Sequence, residues 1–317
     1  MQEYECELLF RPDSDALRFL PEGPYPYGAN RFSWVAIQHG SDQERGSLNV
    51  YDFADGSNKT FELQGRPGFA FPTDRQDTFV VGLERRVVLV DLNTGDETLL
   101  CDGVDNHVEN TIINDGMAFD GGLIFGSKEL TFSKTIAGLY LYRSADRQLI
   151  TLRTDQICSN GKALVERNGQ LTLIDIDSPT KTVVGYPIDV EAGTLGEKQV
   201  LLDFTAEEIF PDGMILTPDG TGVIIAFYNP NDADYGVARQ HNLETRKTEA
   251  IWRTAKAPQC TCPQLLELDG AIKLVLTTAV EHMTTERQQQ HSNSGSLFIG
   301  DTNFSILPET PTFTVGN

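Results

Sequence analysis

The feature that most constrains this chain is a strand, a polar turn and a second strand that recur six times. The copies begin at Leu48 (LNVYDFADGSNKTFEL), Arg86 (RVVLVDLNTGDETLL), Gly138 (GLYLYRSADRQLITL), Val183 (VVGYPIDVEAGTLGEKQVLLDF), Gly236 (GVARQHNLETRKTEAIW) and Gly295 (GSLFIGD), at intervals of 38 to 59 residues. Repeats of about 40 to 50 residues built from short strands mark propeller blades, because one such unit cannot bury its apolar faces alone. Each copy follows another apolar, β-branched or aromatic run: SWVAI, TFVVGL, GLIFG, LTLIDI, GVIIAF and KLVLTTA. Before those lies a third series that opens on a turn signal and continues as a strand: EGPYPY, RPGFAF, NDGMAF, SNGKAL, PDGMIL and TCPQLL.

Three strands are thus visible in all six units, and a fourth in five. The last unit lacks an outer strand, whereas the chain opens on an unassigned one, ECELLF. Pairing the two removes exposed edges. The expectation is an all-β, six-bladed β-propeller, one domain over residues 1–317, its ring closed by the N-terminal strand in the last blade.

A formal charge of −21 argues against nucleic acid and anionic membranes as partners and favours cations. The N-terminal segment has neither a basic region nor a long apolar core, and no run reaches membrane-spanning length. Five cysteines without framework spacing fit a reducing compartment, so the cytoplasm is expected. Cys260 and Cys262 form a C-x-C pair that reads as two small residues beside a strand. His282 and His291, in HMTTERQQQH, are expected to be solvent-exposed, and NPNDADYG from Asn229 is expected to be a surface turn without the terminal glutamate of a calcium loop.

In a propeller the first strand of each blade lines the central channel, so equivalent positions converge. The residues directly before the third-series glycines are Glu22, Pro67, Asp115, Asn160 and Asp212, and Cys262 precedes a proline in the sixth unit. Four of the six carry oxygen donors, the first shell that hard divalent cations prefer. Calcium fits best; magnesium, manganese and zinc are the alternatives.

LPEGPYPYGANRFSWVAI, DNHVENTIINDG, CSNGKAL, IFPDGMILTPDG and TCPQLLELDG resemble, in order and at matching intervals, the motifs of the SMP-30/gluconolactonase/regucalcin family. That resemblance implies a six-bladed propeller and a metal held by Glu22, Asn160 and Asp212, with Asp212 as general base. It places the substrate-binding asparagine on Asn114, a candidate acidic substrate residue on Glu129, and Ile112 where relatives carry an arginine. Loss of that multidentate cation tells against a highly hydroxylated aldonolactone. No G-x-S-x-G, H-E-x-x-H, Walker or dinucleotide-binding motif competes. The expected activity is metal-dependent hydrolysis of a small-molecule lactone, the metal acting as Lewis acid. The rival from another class is a non-catalytic metal- and ligand-binding propeller of regucalcin type.

Overall fold

The computed structural model describes residues 1–167, 169–307 and 310–315. The chain is almost entirely strand, in two compact units: Met1–Arg66 with Phe204–Glu309, and Pro67–Asp203 with Thr310–Asn317.

In the first unit, Pro21–Pro26, Arg31–Ala36, Ser47–Asp52 and Asn58–Glu62 form an antiparallel four-stranded meander. A second sheet has eight strands. Phe210–Leu216, Gly222–Tyr228, Tyr235–Asn242 and Thr248–Ala255 make one meander, and Cys260–Leu268, Ala271–Thr278 and Leu297–Asp301 make another. The N-terminal strand Gln2–Phe10 joins them. It pairs antiparallel with Leu297–Asp301 (Glu7 opposite Ile299, Leu8 opposite Phe298), the partner expected from the sequence. It also pairs in parallel with Thr248–Ala255 (Gln2 opposite Ala250, Cys6 opposite Thr254), so two repeats fuse into one hydrogen-bonded sheet.

The second unit holds three sheets, covering 67–101, 111–156 and 159–203. In the last of these the outer segment is broken: Thr194–Leu195 and Gln199–Asp203 both pair with Thr182–Asp189. The tail returns to this unit, where Phe313 is 1% exposed, packs 6.2 Å from Tyr142 between ring centroids and bridges to Thr73.

Burial explains why the inner strands read as continuous apolar runs. Phe79–Leu83 and Gly122–Glu129 are buried at every position, having neighbours on both faces, whereas outer strands such as Glu97–Cys101 are largely open to water. The turns repeat one chemistry: the side-chain oxygens of Asp52, Asp91 and Asn242 each accept the amide two residues on, at 2.8, 2.8 and 3.1 Å.

The innermost strand of every repeat carries a register shift at the third-series signal. The shifts fall between Glu22 and Tyr25, Pro67 and Phe69, Ile113 and Asp115, Asn160 and Lys162, Pro211 and Met214, and Cys260 and Pro263. A bulge adds one residue against its partner strand, bends the strand and re-aims a side chain. The dipeptides read as turns are therefore bulges inside strands.

Candidate functional site

In the second unit Asn114 and Asn160 meet. They are 6% and 5% exposed, each at the bulge of its own strand. Asn114 Nδ2 donates to Asn160 Oδ1 at 3.0 Å and to the Ser159 carbonyl at 2.9 Å. Both amide hydrogens of Asn114 are thereby used, which leaves its Oδ1, an acceptor, for a ligand. Asn160 Nδ2 donates to Ser178 Oγ at 2.8 Å, so partners on both sides fix which way the Asn160 amide faces.

Beneath this pair lies a buried ion pair that sequence reading missed. Lys162 and Asp175 have side chains 0% and 1% exposed, with Nζ 3.5 Å from Oδ1. Lys162 also donates to the Asn160 carbonyl at 2.5 Å, and Gln156 Nε2 donates to Asp175 Oδ2 at 2.6 Å. Burial pushes Asp175 up to about 6 despite the opposing lysine charge. Desolvation likewise raises Asp115, against Lys162, and Asp177, against the Cys158 and Ile157 amides that it caps. The signal was present: Lys162 occupies the place after the glycine where other repeats have Phe69, Met117 and Met214.

Ile112 is 1% exposed, sealed in its strand. Glu129 is 2% exposed and turned to its own loop, where its carboxylate accepts from Ser133 N at 2.8 Å, Thr131 N at 3.2 Å and Thr131 Oγ1 at 2.8 Å. Burial opposes its charge, but these bonds outweigh burial and hold the carboxyl below its ordinary range. Its evident work is to fold residues 130–134.

In the first unit Glu22 and Asp212 are 7% and 8% exposed. Gly23, at φ +53°, turns its amide back onto Glu22 Oε2 at 3.0 Å. Gly213 packs so closely on the strand carrying Cys262 that a Cβ there would lie 2.8 Å from the Cys262 Cα. Tyr228 donates to the Glu281 carbonyl at 2.9 Å; burial first, then the charges of Glu281 and Asp212, hold its phenol well above the ordinary value. Cys260 is buried in its strand with its thiol pushed up to about 12, which favours the plain reading of the C-x-C pair over a soft-metal site.

Two expectations about the neighbouring loops divide. The 229–234 segment is a turn, with Asn229 Oδ1 accepting from Asn231 N at 3.0 Å, and His282 has a side chain 64% exposed. His291, however, is 3% exposed: Asp232, which also binds Arg287 at 2.8 Å, holds His291 Nε2 at 3.0 Å and folds it inward.

Among the described residues no group of three or more His, Cys, Asp or Glu side chains is placed to hold a metal ion. The expected set has two carboxylates and one amide, and its donors fit a hard cation in kind: the Asn160 oxygen takes one hydrogen bond and an amide oxygen has two lone pairs. No helix among the described residues is long and apolar enough to cross a membrane.

A chain of strand meanders with bulged inner strands is of propeller type, and its solved neighbours agree. The calcium-binding protein regucalcin of Agrobacterium tumefaciens matches with a TM-score of 0.78 at 19% identity, over 94% of this chain and 95% of that one. A gluconolactonase of Xanthomonas campestris matches with a TM-score of 0.63 at 15% identity, over 93% and 88%. The SMP-30/Gluconolactonase/LRE-like model matches residues 20–279, and the chain belongs to that family. A Bacillus subtilis protein named provisionally as the sugar lactone lactonase YvrE is 23% identical over 90% of this chain and 92% of its own length. An uncharacterized Sulfolobus acidocaldarius protein is 32% identical over 53% of this chain, and the match spans 58% of that relative.

Proposed function

We propose that this protein is a divalent-metal-dependent lactone hydrolase, acting on a small molecule in the cytoplasm, with Glu22, Asn160 and Asp212 as the residues that hold the cation. The observation that carries the reading is the amide pair Asn114–Asn160, buried at two of the bulges that the repeat also places at Glu22 and Asp212. The fold is read as six four-stranded blades in one domain: the eight-stranded sheet divides at the parallel pairing of Gln2–Phe10 with Thr248–Ala255 into two repeats.

Calcium is the favoured ion, and when bound it supplies Lewis acidity toward the lactone carbonyl. Asp212 takes the proton of the attacking water on a carboxylate oxygen as the new C–O bond forms. The ring C–O bond then breaks, and the proton passes from Asp212 to the departing ring oxygen, giving a hydroxy acid. Asn114 accepts a substrate hydroxyl at Oδ1, since its donor hydrogens hold Asn160 and Ser159. Glu129 acts at one remove, shaping the 130–134 loop. The non-catalytic binding reading is supported by one observation, the sealed Ile112 where relatives carry arginine.

The test is proton release from a lactone panel by metal-stripped protein reloaded with calcium, magnesium, manganese or zinc. Turnover should appear only with metal, fall at least about 1,000-fold in Asp212→Ala and persist in Asn303→Ala on the surface. Metal binding without turnover on any lactone selects the binding reading, and metal-independent turnover overturns the proposed ligand set.

A further inference from the structure

Lys128 lies in the wholly buried strand Gly122–Glu129 and is itself 4% exposed. Lys162, equally buried, has Asp175. Among the described residues the Lys128 ammonium has no hydrogen bond and no ion pair. The acidic groups beside it are committed elsewhere: Glu129, next in the strand and so on its other face, to Thr131 and Ser133, and Asp177 to the amides of Ile157 and Cys158. The Lys128 stem is sunk in the fold while its ammonium keeps contact with water, and an ammonium held in place there without a counter-charge is poised to pair with an anion.

The register says where that anion would lie. Lys128 is directly opposite Ile112 on one neighbouring strand and forms an isolated antiparallel bridge with Cys158, just ahead of the strand that carries Asn160. Directly opposed residues of antiparallel strands project to the same face, so Ile112, Lys128 and Cys158 share one. The Cys158 thiol lies 3.7 Å from Asn114 Nδ2 and 3.6 Å from Asn160 Nδ2, which puts Lys128 one residue from the amide pair.

We infer that Lys128 forms an anion subsite beside Asn114, supplying from the facing strand the positive charge that Ile112 does not, and that its ligand is the carboxylate of a hydroxy acid. This rests on the hydrolase reading, in which ring opening turns a neutral lactone into that carboxylate. The same cation accepts a substrate that already carries an acidic group, so specificity shifts from hydroxyl-rich neutral rings toward anionic ones.

The experiment is calorimetric binding of gluconate and 4-hydroxybutyrate, with glucose as the neutral control, to wild type, Lys128→Met, Lys128→Arg and Ile112→Arg/Lys128→Met. Lys128→Met should lose at least about 10-fold in carboxylate affinity, keep its glucose response and melt no lower than wild type, because the substitution removes no hydrogen bond or ion pair of the described residues. Lys128→Arg or the swapped double variant should restore binding. Unchanged carboxylate binding in Lys128→Met, or no carboxylate binding by wild type, overturns the inference. Lys128-dependent carboxylate binding in a protein that opens no lactone overturns the hydrolase reading and leaves the subsite standing. Lactone turnover with product inhibition unchanged in Lys128→Met does the reverse.

Discussion

Replacing Lys162 with methionine, the residue at the same place in two other repeats, should make stability steeply pH-dependent. In the wild type, burial raises the folded pKa of Asp175 from 3.8 to about 6. A raised folded pKa means that stability is full below 3.8, declines as pH rises to about 6, and levels off once folded and unfolded carboxyls are both ionised. The decline is about 3 kcal/mol at about 1.4 kcal/mol per pKa unit. Without the lysine cation the folded pKa moves higher still, so the decline continues above pH 6, at up to about 1.4 kcal/mol per pH unit. To this is added about 1 kcal/mol at every pH for the lost hydrogen bond to the Asn160 carbonyl. Urea unfolding followed by circular dichroism at half-unit steps from pH 5 to 8 measures the difference. It should start at about 1 kcal/mol and widen as the pH rises above 6, by up to about 1.4 kcal/mol per pH unit. Lys162→Met/Asp175→Leu, with neither charge, should give a flat profile. Parallel curves for wild type and single variant would refute the buried pair.

Glu129→Gln should cost about 2 kcal/mol at neutral pH, the scale of hydrogen bonds to a charged acceptor, by loosening the turn at Thr131 and Ser133. Since the folded pKa of Glu129 lies below its ordinary range, this contribution is complete above that range and is lost as pH falls through the folded value; the melting-temperature gap between the two proteins should close in acid. Phe313→Ala should cost about 3 to 5 kcal/mol in the unit that contains it. It should also speed hydrogen exchange at the Asp74 amide, which donates to the Phe313 carbonyl at 3.1 Å, and unchanged exchange there would mean that the tail does not need the ring.

The strands were legible because burial on both faces forces a continuous apolar run: TFVVGL coincides with the strand Thr78–Leu83, and GLIFG with the first five residues of Gly122–Glu129, whose polar end Ser127–Glu129 the apolar run did not reveal. The pairing of ECELLF with LFIGD was legible for a different reason, since the last unit lacked an outer strand and the chain opened on an unassigned one. What could not be read is everything set by a one-residue register change. Asn-Asp-Gly and Asn-Gly look like turns, and only the partner strand reveals a bulge that brings Asn114 to Asn160. His291 looked exposed because its neighbours are polar, and it is buried because Asp232, far off in sequence, reaches it. The two buried lysines carry the point furthest. SNGKAL carries a sign that Lys162 is buried, the apolar residues at its place in other repeats, but neither SNGKAL nor FGSKEL shows which lysine has a carboxylate opposite it. The fold gives Lys162 a carboxylate across one strand pair and gives Lys128 an isoleucine and a cysteine. The first is thereby a structural cation whose removal should unsettle the protein, and the second is the cation we propose pairs with a ligand's carboxylate.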